Sequence, residues 1–143
     1  MPTGGRASLI LDTNILISGL FYKGSVLREV VNTGFDHYEL IFSNQTWDEL
    51  ADVIQRDFLE KLSPLATRLR LLAEIASHIT IIESNSVVTD CEDPKDNKFL
   101  SLALDGSVST IVTGDEKLLK LHPWRNVDVI NVHGFLEQYK QSS

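Results

Sequence analysis

Apolar positions in this chain fall into short runs that alternate with longer stretches of helical spacing. Residues 8–11 form an apolar run closing on Asp12, the pattern of a strand buried on both faces, and residues 13–20 change at once to helical spacing. Val26, Leu27, Val30 and Val31 predict a helix over 25–33 that Gly34 should stop, and residues 39–42 read as a second strand. Trp47, Leu50, Ala51 and Ile54 then recur at i, i+3, i+4 and i+7, with Phe58 continuing the stripe and Ser43 placed to cap. Ser63 and Pro64 restart a helix whose expected buried face is Leu65, Leu69, Leu72 and Ala76.

The β-branched residues 79–82 suggest a short strand. Asp93 and Pro94 announce a helix carrying Phe99, Leu100 and Ala103 on one face and ending near Gly106. Strands at 110–113 and 127–130 and helices at 116–121 and 133–139 complete the alternation. Strands too apolar for a wet face, separated by helices, predict a three-layer α/β/α fold around a central, mostly parallel sheet of Rossmann-like kind. No repeat or linker divides the chain, so one domain over 8–140 is expected, preceded by a loose leader over 1–7.

With 143 residues, 43% of them hydrophobic, a core can form without disulfides or structural zinc. The single cysteine, Cys91, fits a reducing compartment, and a cytoplasmic location is expected. No apolar run approaches the ~20 residues of a membrane span. A net charge of -7 argues against a basic nucleic-acid surface, unless the acids cluster and hold divalent cations that present positive charge to phosphate.

The acids do gather where a parallel sheet collects function, at the carboxyl ends of its strands. Asp12 follows the first strand and Asp115 the strand ending at Thr113, while Asp96 opens the intervening helix. Each has a plainer reading. Asp12 and Asp115 suit helix N-caps, Asp93 suits the cap before Pro94, and Glu49 suits a capping box with Thr46. Asp96 resists such a reading, because it precedes Phe99, Leu100 and Ala103 by three, four and seven residues and so heads an apolar stripe. Several capping coincidences at one sheet edge are a poorer account than one shared site. The four histidines lack metal-binding spacing, Cys91 lacks a basic partner, Trp47 reads as core, Trp124 as core or partner contact, and neither common phosphate loop is present.

The opening Leu11 to Asn14, the Glu49–Leu50 pair, the stretch Asp93, Pro94, Lys95, Asp96, Asn97, Lys98, Phe99, and the closing Thr113, Gly114, Asp115 together resemble the PIN domain family. The likeness runs from Leu9 to about Leu136 and is narrower still to the small prokaryotic VapC-like toxins. It implies a Mg²⁺- or Mn²⁺-dependent endoribonuclease using one or two ions, acting on single-stranded RNA and leaving 5′-phosphate and 3′-hydroxyl ends. By the same resemblance Asp12, Glu49, Asp96 and Asp115 form the catalytic cluster. Asp12, Asp96 and Asp115 would be metal ligands, Asn14 and Thr113 orienting groups, and Asp93 an additional acid. A cognate antitoxin and a homodimer are the implied partners.

The physics agrees, since two carboxylates ~4 Å apart repel by roughly 4 kcal/mol at an effective dielectric of ~20, and hard divalent ions relieve that. Lys23, Arg28, Lys98 and Lys117 are either RNA guides or ordinary solvated surface charges. Two other activities stay open at this point. A haloacid dehalogenase-like phosphotransferase would use Asp12 but normally wants an acid where Asn14 stands, and a degenerate PIN binding module would not hold metal.

Overall fold

A computed structural model describes residues 5–22 and 24–142, so residues 1–4 of the expected leader, and Lys23, lie outside the described residues. Strands β1 (Ser8–Leu11), β2 (Glu39–Phe42), β3 (Thr80–Ile81), β4 (Thr110–Val112) and β5 (Asp128–Ile130) form one sheet in the order β3-β2-β1-β4-β5. Every pairing is parallel, with Ser8 opposite Glu39, Ile10 opposite Ile111 and Ile111 opposite Val129. The chain winds outward from β1 through β2 to β3, then returns to place β4 on the other side of β1. The strand order therefore reverses at the β1–β4 seam, the place where such sheets hold their chemistry.

Side chains alternate across the pleat, and this divides the interior in two. Leu9, Leu11, Leu40, Phe42 and Val112 join one core beneath α1 (Thr13–Phe21), α2 (Ser25–His37), α3 (Asn44–Ile54), α4 (Leu65–Ala76) and α7 (Val132–Ser142). Ile10, Ile41 and Ile111 point the other way, against α5 (Asn97–Gly106) and α6 (Glu116–Leu119). This is the three-layer α/β/α architecture expected from the strand and helix rhythm. Ahead of β1, the Ala7 carbonyl accepts from Glu39 N–H at 2.9 Å and Arg6 donates to the Phe35 carbonyl at 3.3 Å. No helix among the described residues is long and apolar enough to cross a membrane.

Several local expectations are corrected. Helix α2 does not stop at Gly34 but runs through it to His37. A Cβ there would lie 3.3 Å from Leu11 Cδ1 and 3.4 Å from Leu40 Cδ2, so the missing side chain serves close packing of helix on sheet. Helix α3 ends at Ile54, and Phe58 sits in a 3-10 turn at Asp57–Leu59 with its ring exposed. On α4, Leu65 and Leu69 are exposed and the buried residues are Arg68 and Ile75. Arg68 is only 1% exposed because carbonyls left over after α3 need donors. Its guanidinium donates to Ile54 O at 2.7 Å, Arg56 O at 3.2 Å and Ser63 O at 2.9 Å. Spacing alone showed a helix there but not which face the neighbours would cover.

Candidate functional site

At the carboxyl edge of β1 and β4 a cavity of about 230 Å³ is lined by Asp12, Thr13, Asn14, Glu49, Arg56, Asp93, Lys95, Asp96 and Asp115, among others. Every acid picked out from the sequence opens into it. Each arrives by a different local device.

Asp12 leaves β1 as the N-cap of α1, with Oδ1 accepting from Ile15 N–H at 2.8 Å. Its Oδ2 accepts from the Thr113 hydroxyl across the β1–β4 seam. The capping role and a place in the cavity are thus compatible. Asp12 is buried, which pushes its pKa up, while the hydrogen bonds from Thr113, Ile15 and Gly114 pull against that and the Glu49 charge adds to it. Thr113 is fully buried and works twice, because its hydroxyl oxygen also accepts from Asp115 N–H at 3.0 Å. One side chain thereby ties the first and last acids together.

Ser43 caps α3 through a reciprocal pair with Thr46: Thr46 N–H donates to Ser43 Oγ at 3.2 Å and Ser43 N–H to Thr46 Oγ1 at 2.9 Å. Thr46 is therefore inside the helix, and the alternative Thr46–Glu49 capping box does not form. Glu49 is free to face the cavity instead. One of its oxygens accepts from the Thr13 hydroxyl, and the other meets Lys98 Nζ at 2.8 Å. Lys98 is not a free surface cation: its side chain is 17% exposed, packs 5.0 Å over the Phe99 ring, and donates to the Lys95 carbonyl.

The acidic run at 90–96 separates by partner. Asp90 accepts from the buried Trp124 indole at 2.8 Å, and Glu92 pairs with Lys120 at 3.6 Å. Asp96 closes a 3-10 turn (Pro94–Asp96), which Asp93 caps through Lys95 N–H at 3.1 Å. Asp96 then heads α5. On β4's side Asp115 caps α6 through Lys117 N–H at 2.9 Å.

Carboxylate oxygens of Asp93, Asp96 and Asp115 all lie within 4.8 Å of one another. Burial, first, and then the Asp115 carboxylate and the Asp93 charge raise the Asp96 pKa to about 7, with Lys98 opposing. Asp115 moves down, chiefly because Asp96 donates a hydrogen bond to it. Asp96 Oδ2 is the one side-chain polar atom among the described residues that is buried without a hydrogen-bond partner. An all-oxygen, like-charged trio with an unsatisfied buried acceptor fits a hard divalent cation.

The family resemblance implies Asp12, Asp96 and Asp115 as metal ligands, with Asp93 as an additional acid. The structure groups Asp93 with Asp96 and Asp115, and gives Asp12 protein donors on both oxygens. Asn14 is exposed at the cavity's edge. Lys95, from the stretch that carries the resemblance, also lines it, as does Arg56, which no sequence pattern singles out and which is paired with Asp52 at 2.7 Å. Lys117 is exposed beside Asp115, and Arg28 is exposed on α2.

A family model described as the PIN domain matches residues 8–117. The chain belongs to the PIN domain family. Its members are in general metal-dependent nucleases. This PIN domain is 26% identical over 138 residues to the uncharacterized protein MJ1680 of Methanocaldococcus jannaschii, covering 90% of this chain and 84% of that one. Among solved structures it resembles VapBC2 from Rickettsia felis, bound to a DNA fragment from its promoter, with TM-score 0.58, 15% identity, and 87% and 98% of the two chains covered. VapBC-1 from nontypeable Haemophilus influenzae gives TM-score 0.57 at 14% identity over 88% and 98% of the chains. PAE2754 from Pyrobaculum aerophilum gives 0.58 at 13% identity over 95% and 92%. At such identities these likenesses establish the fold.

Proposed function

We propose that this PIN domain is a Mg²⁺- or Mn²⁺-dependent endoribonuclease that hydrolyses phosphodiester bonds of single-stranded RNA, and that it is the toxin of a toxin–antitoxin pair acting in the cytoplasm. The observation that carries this reading is the convergence of Asp93, Asp96 and Asp115 within 4.8 Å, in a cavity shared with Asp12 and Glu49. Family membership supplies the reaction class, and the VapBC assemblies among its fold neighbours support a cognate antitoxin. A homodimer formed through helices flanking the site belongs to the same reading.

Asp93, Asp96 and Asp115 would hold the ion. When bound, it supplies Lewis acidity to a phosphate oxygen and to water. Asp12 lends negative charge from a fixed position, since Thr113 and the start of α1 prevent its carboxylate from turning. Glu49 keeps acceptor sites beyond those used by Thr13 and Lys98, because a carboxylate offers about four. It orients the attacking water in line with the scissile phosphorus, whose bond to the 3′ oxygen breaks to leave 5′-phosphate and 3′-hydroxyl ends. Asn14 and Lys95 at the cavity's edge orient the RNA strand.

The test is cleavage of single-stranded RNA by the purified protein with Mg²⁺ or Mn²⁺, against EDTA and against Asp12→Asn and Asp96→Asn. Cleavage should need the ion and fall about 100-fold or more in each variant. Undiminished cleavage by both variants would reject the assignment.

A further inference from the structure

Beside the acidic cavity lies a second one, of about 340 Å³, which shares Asp12, Asn14 and Asp115 with it. The rest of its lining carries no charge: Ile15 and Ser18 from α1, Leu27 from α2, and Gly114 from the turn after β4. Ile15 is buried and Leu27 half-buried, so both are seated in the fold while still reaching this space. A serine inside a helix commonly bonds back to the carbonyl four residues earlier, yet the Ser18 hydroxyl has no hydrogen-bond partner among the described residues, and neither has the Asn14 amide.

Gly114 is not explained by the fold. Its φ lies outside the left-handed region, and a Cβ there would meet nothing within 4 Å, so neither backbone strain nor packing calls for glycine. Its missing side chain instead adds open space to the cavity between the acids and Leu27. The cavity is thus charged at the end it shares with the acids, and apolar with unpartnered polar groups at the other. A nucleotide is divided in the same way, with a charged phosphate at one end and, at the other, a base that has π-faces and a hydrogen-bonding edge.

We infer that this second cavity takes one unpaired nucleobase of the RNA, from a nucleotide beside the scissile phosphate. Ile15 and Leu27 meet its face, Asn14 and Ser18 its edge, and Gly114 leaves it room. The inference rests on the nuclease reading for the place of the phosphate, and it makes Asn14 and Ser18 specificity-determining residues. The volume suits the occupant, since small-ligand pockets begin at about 300 Å³. An unpaired base is required because pairing would occupy the edge that the two side chains address.

Nucleoside 5′-monophosphates titrated into the full chain with Mg²⁺, followed by amide NMR shifts and set against ribose 5-phosphate, separate base from phosphate without cleavage. At least one of the four should shift the amides of Ile15, Ser18 and Leu27 and bind about tenfold or more tighter than ribose 5-phosphate. Equal affinity for all five compounds, or shifts that leave those three amides unmoved, overturns the inference. Gly114→Val should erase the nucleotide's advantage over ribose 5-phosphate, while Mn²⁺ affinity by titration calorimetry stays within about threefold of wild type because no neighbour crowds the added side chain. Should that variant melt far below wild type or lose Mn²⁺, Ser18→Leu fills the cavity from its other wall and carries the same expectation. A full advantage retained in the variant that folds and binds Mn²⁺ counts against the base site.

Cleavage adds a second readout. On a single-stranded RNA cut at one position, an abasic ribose placed on one side of the cut or the other should lower wild-type kcat/KM about tenfold or more, and Gly114→Val should cut intact and abasic strands equally. Equal cutting of intact and abasic strands by wild type overturns the inference. If wild type cuts no RNA, the proposed function fails while the nucleotide titration still decides whether the cavity holds a base.

Discussion

Asp96→Asn should make the metal-free protein more stable, and increasingly so as pH rises. The ordinary carboxyl value is 3.8, and in the folded chain Asp96 titrates at about 7. Between those values the native state binds more protons than the unfolded state, so stability falls as pH climbs from about 4 to 7 and stays low above that. At about 1.4 kcal/mol per tenfold the full penalty at pH 8 would be about 4 kcal/mol. Asp96 is only partly shielded from solvent, and screening reduces this to about 1–2 kcal/mol. Asparagine has the same shape, carries no charge, and can still donate to Asp115 as protonated Asp96 does.

The assay is thermal melting of both proteins in EDTA from pH 4 to 8. The variant's advantage should be near zero at pH 4 and grow to a few degrees at pH 8, at about 3–5 °C per kcal/mol for a chain of this size. Adding Mn²⁺ at about 100 times its Kd should reverse the order, since binding stabilises wild type by about 2.7 kcal/mol and does little for a protein that has lost a ligand. A variant that melts below wild type at pH 8 in EDTA, or a gap that does not change with pH, would refute the reasoning.

Three further outcomes follow from particular contacts. Thr113→Val keeps the shape but leaves Asp12 Oδ2 and Asp115 N–H without their shared partner, and should cost about 2 kcal/mol in urea denaturation while slowing cleavage. Arg68→Met strands the carbonyls of Ile54 and Ser63 and should cost about 3 kcal/mol, seen as a lower denaturation midpoint. Gly19→Ala would set a Cβ against the Val31 side chain and 2.8 Å from Leu27 O at the α1–α2 contact, so a loss of about 2 kcal/mol is expected by thermal melting.

The sheet was legible because parallel strands are buried on both faces, and runs such as Leu9 to Leu11 carry that burial in their composition. The site was legible through Asp96, whose place at the head of an apolar stripe has no comfortable local reading. Asp93 was harder to place, because its capping of the turn at Pro94 accounts for it fully from local sequence, yet that same turn brings it to Asp96 and Asp115. Likewise Arg68 lies three residues after Leu65 and four before Leu72, beside the expected apolar stripe, but its charge kept it out of the predicted core, and the carbonyls of a neighbouring segment explain its burial. The Thr13 and Lys98 contacts to Glu49 were not legible, since the partners come from α1, α3 and α5 and no local pattern records their meeting. What escaped the sequence reading is polar pairing between distant elements.

Asp12 and Asp96, which both line the cavity, differ in how well the protein satisfies them. Asp12 has hydrogen bonds on both oxygens, so its burial is compensated without a ligand and it fixes the start of α1 against β4. Asp96 has an oxygen that nothing in the described residues reaches, beside two other carboxylates. A divalent ion would relieve both the missing partner and the crowding at Asp96, whereas Asp12 has its hydrogen bonds with or without one. On the proposed function, Asp96 is then the residue whose burial cost an ion would offset most, while Asp12 holds the start of α1 against β4 by its own hydrogen bonds.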